Sequence, residues 1–472
     1  MTISPPQGPT AAIHLLNRAG FGPRPGSVRA VLKQGIPAYL NSQLHPVADP
    51  ALDAELARFK ALSFSIKRTL DIYHGRVIFG RGMPDVMEQF QTAKLVRAVM
   101  GANQLQEALV DFWFNHFNVN LQHKFVRESI ISYERDAIRP HVLGRFSDLL
   151  AATARHPSML FYLDNYLSKK NTVADGQVVR GLNENYGREL LELHTVGVNA
   201  GYSQDHVVDA ARCFTGWTID DLKTRGRFIF KPADHDSQAK SVFGLELPKG
   251  GGIEDGDKLL RYLGTHPATA RFVCHKLATR FVSDDPPESL VDHCAQAFVS
   301  TGGDLREVTR TLFTSAEFWA AMEGPKKLRT PVEYVAASLR ATGARVESAE
   351  PGLNWHLDRM GMRPYFCTPP TGWSDRGRDW QSSAHVYRLN FALDLANDTV
   401  KGVAVRLPQA MSVARGSKPT ATSVATFFNR EVFGGGLSQR TLDAVRGVEG
   451  GLPGTVAKAA GLVLGSPEMQ WR

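Results

Sequence analysis

The sequence predicts a mainly α protein: a large multi-helix domain with long loops and one small β-hairpin element near residues 227–244. Apolar residues recur at spacings of three and four through most of the chain, which is the pattern of amphipathic helices. Runs of alternating β-branched residues are few. The composition, with 43% hydrophobic and 22% charged residues, is typical of a globular protein with a large buried core.

The first helices are predicted by two windows without proline, residues 52–80 and 87–117, in which the helical periodicity persists. Each window is long enough for one or two helices. Shorter windows predict further helices at residues 126–138, 143–154, 158–167, 182–196, 204–214, 268–281, 288–300, 305–321, 331–341 and 456–464.

Strand and loop signals lie between these helices. The segment RFIFKPADHDSQAKSVFG, residues 227–244, places two short β-rich runs around a polar turn and predicts a hairpin that carries His235 and Asp236. Two polar loops, residues 168–180 and 249–257, separate helices, and long loops often form or cover a site. Residues 351–381 are irregular and rich in aromatic residues, with Trp373 and Trp380 among them.

The chain is divided by composition into two parts. Residues 1–400 are expected to form the main helical domain. Residues 401–472 are expected to form a flexible connection rich in Gly, Ser and Thr, followed by a C-terminal helix that packs back on the main domain.

Charge and cysteine content exclude several classes of protein. The 55 Lys and Arg residues exceed the 47 Asp and Glu residues by 8, and the basic residues are scattered rather than grouped on one face, so we expect no nucleic-acid partner. The four cysteines have no CxxC spacing, which argues against a disulfide framework or a structural zinc site. No signal peptide and no apolar run of membrane-spanning length is visible, so we expect no membrane insertion and a cytoplasmic protein, or a periplasmic one if a leader has been removed.

The segment NENYGRELLELHTVG, residues 183–197, is the most informative for function. On a helix, Glu184, Arg188 and Glu192 form a stripe of alternating charge, which is either a row of solvated salt bridges or part of a site. Glu189 falls at the edge of an apolar face, where burial is expected to raise its pKa toward that of a general acid. Gly187 leaves room for another segment to approach closely.

Other candidates are polar residues that interrupt apolar stretches, and each has a structural alternative. His116 is either part of a site or a hydrogen-bonded core histidine. Asp164 either contributes a carboxylate or serves as a turn residue. Trp217 is either an aromatic platform for a sugar ring or a core anchor of its loop.

These considerations assign Glu189 as the general acid and Asp236 or Asp164 as the partner carboxylate. We expect the segments that carry the candidates, residues 110–120, 158–166, 182–195, 215–217 and 234–236, to converge on one pocket. The predicted substrate-binding residues are Asn115, His116, Asn165, Asn183, Glu184, Tyr186, Arg188, Glu192, His194, Trp217 and His235. No cofactor or metal site is predicted.

Several long motifs occur in a characteristic order: HLLNRAGFGPRPGSV, FWFNHFNV, HPSMLFYLDN, NENYGRELLELHTVG and HPATARFVCHKLATRFVSDDPP. Through them, the chain resembles the bacterial family called domain of unknown function 1800 (DUF1800), from Ala12 to about Trp380. The resemblance implies a helical protein, and many members carry export signals. It implies no activity and assigns no residue a role.

The function expected from the residues is that of a hydrolase. Carboxylates beside Trp, Tyr, Asn and His are the residue set of carboxylate acid/base cleavage of sugars, so a glycoside hydrolase acting on a bacterial or plant oligo- or polysaccharide is the first hypothesis. A non-catalytic binding scaffold is the second hypothesis. A metal-dependent oxidoreductase that uses His116, His194 and His235 is the third. No dinucleotide fingerprint, phosphate-binding loop, HExxH motif or GxSxG elbow occurs in the sequence.

Overall fold

Helices dominate the structure, a computed structural model that describes residues 3–174, 177–179, 181–324, 326–382, 384–405, 407, 419–448 and 454–472. The mainly α fold class is therefore confirmed. The α-helices are Pro9–Arg18, Ser27–Gln34, Ile36–Leu44, Pro50–Leu56, Ile66–Tyr73, Met83–Met100, Gln104–His116, Lys124–Ser132, Phe146–Arg155, Pro157–Tyr162, Asn185–Glu189, Gln204–Cys213, Ile253–Thr265, Pro267–Phe281, Glu288–Ser300, Leu305–Phe313, Ala316–Ala320, Pro331–Thr342, Gly352–Arg359, His385–Ala396, Ala421–Glu431, Gln439–Arg446, Gly454–Leu464 and Pro467–Gln470.

Two of the predicted helices change from α to π geometry before they end. The Lys124–Ser132 helix continues as a π-helical segment, Tyr133–Ile138. The Asn185–Glu189 helix continues as the π-helical segment Leu190–His194. Segments of π-helix are rare and frequently lie at functional sites. The second one falls within the segment that the sequence marks as most informative.

Short antiparallel strand pairs make up the β structure, and they correct the predicted hairpin. Residues 227–230 pair with residues 217–220, and residues 240–242 pair with residues 245–247. The two β-rich runs of the 227–244 segment thus belong to two successive hairpins, and His235 and Asp236 lie between them. The further pairs are Thr172–Ala174 with Gln177–Val179, and Arg345–Val346 with Val403–Ala404.

The segment that follows residue 418 differs from the expected flexible connection. Residues 419–448 contain the helices Ala421–Glu431 and Gln439–Arg446. The first begins with a capping box, in which the side chains of Thr420 and Ser423 satisfy each other's backbone N–H groups. Ser and Thr therefore start helices here, although they suggested a loop. Residues 408–418 and 449–453 of the expected connection lie outside the described residues.

The hydrophobic core extends from Ala11 near the start of the chain to Met469 near its end. The C-terminal helix Gly454–Leu464 packs against the His385–Ala396 helix. A side chain at Gly461 would come within 2.9 Å of Leu393, so glycine at this position allows the close approach. The division of the chain at residue 400 stays a prediction.

Candidate functional site

The helix that carries the predicted general acid packs closely on its neighbour, as the sequence suggested for Gly187. A Cβ atom at this position would lie 2.7 Å from the backbone nitrogen of Ala211, in the Gln204–Cys213 helix. Glycine therefore allows direct contact between the two helix backbones. This contact places the charged stripe of the first helix beside Gln204.

The charged stripe is an exposed set of ion pairs. Arg188 lies 3.4 Å from Glu184 and 3.6 Å from Glu192, with its side chain 38% exposed. Gln204 accepts a hydrogen bond from Arg188 and donates one to Glu184. Contacts of this kind contribute about 0–1 kcal/mol each because solvent screens them. The side chains of Glu184, Arg188 and Glu192 remain accessible to solvent, but their charged groups already form ion pairs with one another.

Glu189 is half-buried beside this stripe. Burial raises the pKa of Glu189, the charge of Glu192 raises it further, and Arg188 lowers it. The direction agrees with the one expected from its apolar neighbours. Burial and then the charges of Cys367 and Glu189 raise the pKa of Tyr162, so the phenol lies within the electrostatic reach of this carboxylate.

Three of the predicted substrate-binding residues are core residues instead. Tyr186, His116 and His194 are all buried, and they lack the surface that a substrate would contact. His116 donates from Nε2 to the carbonyl oxygen of His194 at 3.1 Å. Burial lowers the pKa of His194 to about 3 and that of His116 well below its ordinary value, so both rings are neutral. The apolar residues around them explain this outcome, since such a setting disfavours imidazolium.

The residues after the Pro157–Tyr162 helix organise the backbone. Asp164 is exposed in a left-handed conformation with φ 57°, which Asp tolerates in turns. Asn165 is buried and donates to the carbonyl oxygens of Phe214 at 3.2 Å and Trp217 at 3.1 Å. Asn183 accepts from the backbone of Asn185 through its side-chain oxygen. The amides of Asn165 and Asn183 thus bind loop backbone.

The predicted sugar platform is wrong, because Trp217 is fully buried. Its ring contacts Phe214 and Phe228, and a Cβ atom at Gly256 would lie 2.6 Å from it. Arg155 stacks on the ring with its guanidinium carbon 5.1 Å from the ring centroid. Trp217 is therefore a core anchor of its loop, which is the second of the two interpretations given from the sequence.

Asp236 and His235 are also held by the protein itself. Arg212 donates to the two oxygens of Asp236 at 2.8 and 3.1 Å, and the backbone N–H of Gln238 donates at 3.0 Å. The pKa of Asp236 is lowered, because these hydrogen bonds outweigh the effect of burial. His235 is buried between Thr215, whose carbonyl oxygen is 2.8 Å from Nδ1, and the buried carboxylate of Asp255, 3.4 Å from Nε2. Neither side chain presents a free group to a substrate.

Hydrogen bonds connect the predicted segments in pairs. The His116–His194 bond joins residues 110–120 to 182–195, and Asn185 donates to the carbonyl oxygen of Leu163. Thr215 binds the backbone N–H of Asp236. The convergence on a single pocket stays a prediction, since these bonds lie within packed structure.

A polar cavity lies beside the Gln104–His116 helix, which contributes Asp111, Phe114 and Asn115 to its lining. It has a volume of about 30 Å³, which is enough for one or two water molecules, and it opens toward the surface. Its lining combines charged, amide and aromatic side chains: Lys94, Asp111, Phe114, Asn115, Asn118, Arg280, Thr330, Val332, Met362, Pro364, Tyr365, Trp373, Ser374 and Asp375. Asn115 is the one residue of the predicted site among them.

Two carboxylates of this polar cavity flank one guanidinium. Arg280 Nη2 lies 3.0 Å from Asp111 Oδ2, and Arg280 Nη1 lies 3.7 Å from Asp375 Oδ1. Asp111 has a second cation, Lys94, at 2.7 Å. Burial raises the pKa of Asp375, and the charges of Arg280, Lys276 and Lys327 only partly oppose it. The two carboxyls therefore have different surroundings although they share an arginine.

Asn115 fixes the segment that carries Asp375. It donates to the carbonyl oxygen of Trp373 at 2.8 Å and accepts from the backbone N–H of Trp373 at 2.7 Å. Gly372 is required for this approach, because a Cβ atom there would lie 2.3 Å from the carbonyl oxygen of Asn115. Trp373 and Trp380 are half-buried, with ring centroids 6.0 Å apart.

Half-buried Lys276 adds a perturbed cation near the polar cavity. Burial lowers the pKa of Lys276, and the charge of Asp375 opposes this shift. Its charge in turn lowers the pKa of both His116 and His194, after the larger effect of burial. Lys276 and Arg280 are one turn apart on the Pro267–Phe281 helix, so this helix supplies both cations.

Sequence reasoning missed Asp375, Arg280 and Lys276 as site residues. Asp375 lies in the irregular aromatic segment 351–381. The unusual composition of this segment indicated a site there but did not indicate which residue belongs to it. Arg280 and Lys276 resemble ordinary helix residues in HKLATRF. The i, i+4 spacing of Asp111 and Asn115 on one helix face was the only direct clue to the polar cavity.

No group of three His, Cys, Asp or Glu side chains is arranged to hold a metal ion within the described ranges. No helix in the described parts of the chain combines the length and apolar character needed to cross a bilayer. The family model that matches the chain is described as protein of unknown function (DUF1800) and covers residues 14–471. No curated protein and no solved structure matches the chain.

Proposed function

Since the chain belongs to the DUF1800 family over nearly its whole length, and that family's description leaves the chemistry open, we propose from the site alone that the protein is a hydrolase that uses carboxylate acid–base catalysis. The observation that carries the proposal is the pair Asp111 and Asp375 on either side of Arg280. Two carboxyls in one site with different surroundings are typical of acid–base catalysis.

Asp375 is the proton donor in this proposal. Burial raises its pKa, which lets a carboxylic acid keep its proton closer to neutral pH. Its carboxyl is 3.7 Å from the nearest guanidinium nitrogen, which is too long for a direct hydrogen bond. The proton therefore remains available for transfer to the oxygen of a leaving group.

Asp111 is the partner carboxylate. Lys94 and Arg280 contact its two oxygens separately, at 2.7 and 3.0 Å. A carboxylate held in this way stabilises positive charge that develops on a sugar ring when its glycosidic bond breaks. The polar cavity, which Asp111 and Asp375 both line, has room for one or two water molecules.

A sugar is the substrate class that the aromatic pair supports. Trp373 lines the polar cavity, and Trp380 packs near it with its indole N–H bonded to the carbonyl oxygen of Ser374. Half-exposed indole faces stack on the apolar faces of sugar rings, and this pair replaces the buried Trp217 as the proposed platform. The anchoring of Trp373 by Asn115 keeps the platform and Asp375 in fixed relation.

The test is release of reducing ends from a panel of bacterial and plant glucans by the wild-type protein and two variants. Asp375→Asn keeps the shape of the side chain and removes its proton, so it is expected to lower turnover by a factor of about 10²–10⁴. Glu189→Gln tests the carboxylate that the sequence favoured. Loss of turnover in Glu189→Gln alone would move the site to that helix.

Folding controls decide how a loss of activity is interpreted. Each variant must keep the far-UV circular dichroism and thermal midpoint of the wild type. An absence of hydrolysis by the wild type across the whole panel would favour the non-catalytic scaffold, in which Asp111 and Asp375 only neutralise Arg280.

A further inference from the structure

A second and much larger cavity is lined by residues from both ends of the chain. The Pro9–Arg18 helix, the turn at residues 433–436 and the C-terminal residues 467–472 enclose a volume of about 910 Å³. This volume is at the upper end of the range usual for small-molecule sites. Its walls include the apolar side chains of Ile13, Met322, Phe433 and Trp471.

Cations border this large cavity. Lys326 and Arg472 line it. The ammonium of Lys326 donates to the carbonyl oxygen of Met322 at 2.7 Å, and none of the described carboxylates pairs with it. The site therefore presents positive charge at the edge of an apolar space.

Arg18 is a further cation on the helix that lines the large cavity, although it is not itself a lining residue. It lies one helical turn after His14, which lines the large cavity, and it is completely buried. All three of its guanidinium nitrogens lack a hydrogen-bond acceptor among the described residues, and so does Nε of Arg472. A buried charged donor without an acceptor is strongly destabilising, so these four nitrogens call for an anion or water.

Two acidic groups lie nearby, and one of them, Glu468, lines the large cavity. Glu333 lies 3.0 Å from Arg280 and 2.8 Å from Arg472. Glu468 accepts from the backbone of Ser438 and from the hydroxyl of Thr441. Burial and the charge of Arg472 lower the pKa of Arg18 to about 9, in spite of Glu333. Among the cations around the large cavity, Lys326 and Arg18 thus have no described carboxylate within 4 Å, whereas Arg472 is paired with Glu333.

We propose that the large cavity binds a long-chain carboxylate, with the alkyl chain between Ile13, Phe433 and Trp471 and the carboxylate at Lys326 and Arg472. The apolar walls match an alkyl chain, and the unbalanced cations match a single negative charge. A neutral alcohol of the same chain length satisfies only the first of these requirements. This proposal and the hydrolase proposal concern different cavities, because the polar cavity and the large cavity share no lining residue.

The test is calorimetric titration of the full chain with palmitate and with hexadecanol. Palmitate is expected to bind saturably and about tenfold or more tightly than hexadecanol, since the carboxylate gains charge-assisted hydrogen bonds. Equal binding of the two ligands, or no saturable binding of palmitate, would overturn the proposal.

Variants locate the ligand. Lys326→Gln is expected to weaken palmitate binding about tenfold, and Ile13→Trp, which places a bulkier side chain in the path of the alkyl chain, is expected to weaken it at least as much. Lys33→Gln, at an exposed position on the next helix, is the matched control and should bind like the wild type. Unchanged binding in Ile13→Trp would place the ligand elsewhere and refute the site.

Arg18→Met separates a ligand-directed charge from a structural one. If the Arg18 guanidinium interacts with the bound anion, the ligand-free variant has a higher thermal midpoint than the ligand-free wild type, because an unpaired buried charge has been removed. The variant also binds palmitate more weakly. A lower thermal midpoint of the ligand-free variant would show that Arg18 stabilises the fold by itself and would overturn its role at the site.

Discussion

Two aspartates of this protein each face an arginine from an irregular segment, and their surroundings differ. Asp236 receives two hydrogen bonds from Arg212 and one from the backbone of Gln238, so its pKa is lowered. Asp375 has its nearest guanidinium nitrogen, on Arg280, at 3.7 Å and sits in a more enclosed place, so its pKa is raised. Asp236 is thus held by direct hydrogen bonds, whereas no guanidinium nitrogen of the described residues lies within hydrogen-bond distance of the Asp375 carboxyl.

The difference also lies in the two arginines. Arg212 faces Asp209 and Asp236 on a half-buried surface. Arg280 is buried and lies within 4 Å of Asp111, Glu333 and Asp375. The guanidinium of Arg212 thus pairs with two carboxylates near the surface, and that of Arg280 pairs with three carboxylates inside the molecule.

The largest effect is expected from Arg280→Met. This change leaves Asp111, Glu333 and Asp375 without their shared cation, and breaking a buried pair by removing one partner costs about 3–5 kcal/mol. The free energy of unfolding, measured by urea denaturation, should fall by this amount.

Arg271→Met is the matched control for Arg280→Met, because it lies on the same helix and its ion pairs with Glu288 and Asp292 are exposed. We expect it to change the free energy of unfolding by less than about 1 kcal/mol. Similar decreases in the free energy of unfolding in the two variants would mean that the buried ion pairs of Arg280 stabilise the protein no more than exposed ones.

Asp236→Asn is expected to have the next largest effect. The change keeps the size of the side chain but removes the charge that Arg212 binds through two hydrogen bonds. Loss of such charge-assisted bonds should lower the free energy of unfolding by about 1–3 kcal/mol. Asp285→Asn, which removes an exposed two-point contact with Arg378, serves as the control and should cost less.

Periodicity was sufficient to predict the helical fold, because a buried helix face needs an apolar residue at every third or fourth position. The close packing at Gly187 was also predictable, since absence of a side chain in a helix suggests contact. The shift to π-helix at Leu190 was not, because it changes which residues share a face without changing the residues.

The candidate site was harder to predict than the fold. Trp217, His116 and His194 attracted a functional interpretation because polar or aromatic residues stand out in an apolar segment, yet the core buries them. Asp375 did not stand out, because burial raises its pKa and burial depends on the fold. The other charged residues of its site are also distant in sequence. Asp111 and Arg280 are separated from it by 264 and 95 positions. Such a site exists only after folding.

The pH dependence of stability should differ in sign between the two aspartates. The pKa of Asp236 is lowered on folding, so it contributes stability above the ordinary value of 3.8 and loses it as pH falls through the folded-state pKa. The pKa of Asp375 is raised, so its contribution is complete below 3.8 and is lost as pH rises through the folded-state pKa.

Urea denaturation over the range of about pH 3 to 6, where carboxyls titrate, measures both contributions. Relative to the wild type, Asp236→Asn should lose less stability at the acid end, and Asp375→Asn should lose less stability as the pH rises. Parallel pH profiles for these two variants would contradict the distinction between the aspartates.

The smallest expected change is in the stability of Asp375→Asn at neutral pH. A side chain whose ionised form is disfavoured by burial gains from replacement by a neutral amide of the same shape, while Arg280 loses one partner at 3.7 Å and keeps Asp111 and Glu333. These effects oppose each other, so the free energy of unfolding should change by less than about 1 kcal/mol. The comparison with Asp236→Asn is sharpest here, because the two variants make the same chemical change at an aspartate beside an arginine. A loss of about 3 kcal/mol or more in Asp375→Asn, the cost of breaking a buried pair, would make Asp375 a structural partner of Arg280 and remove its proposed role as the proton donor.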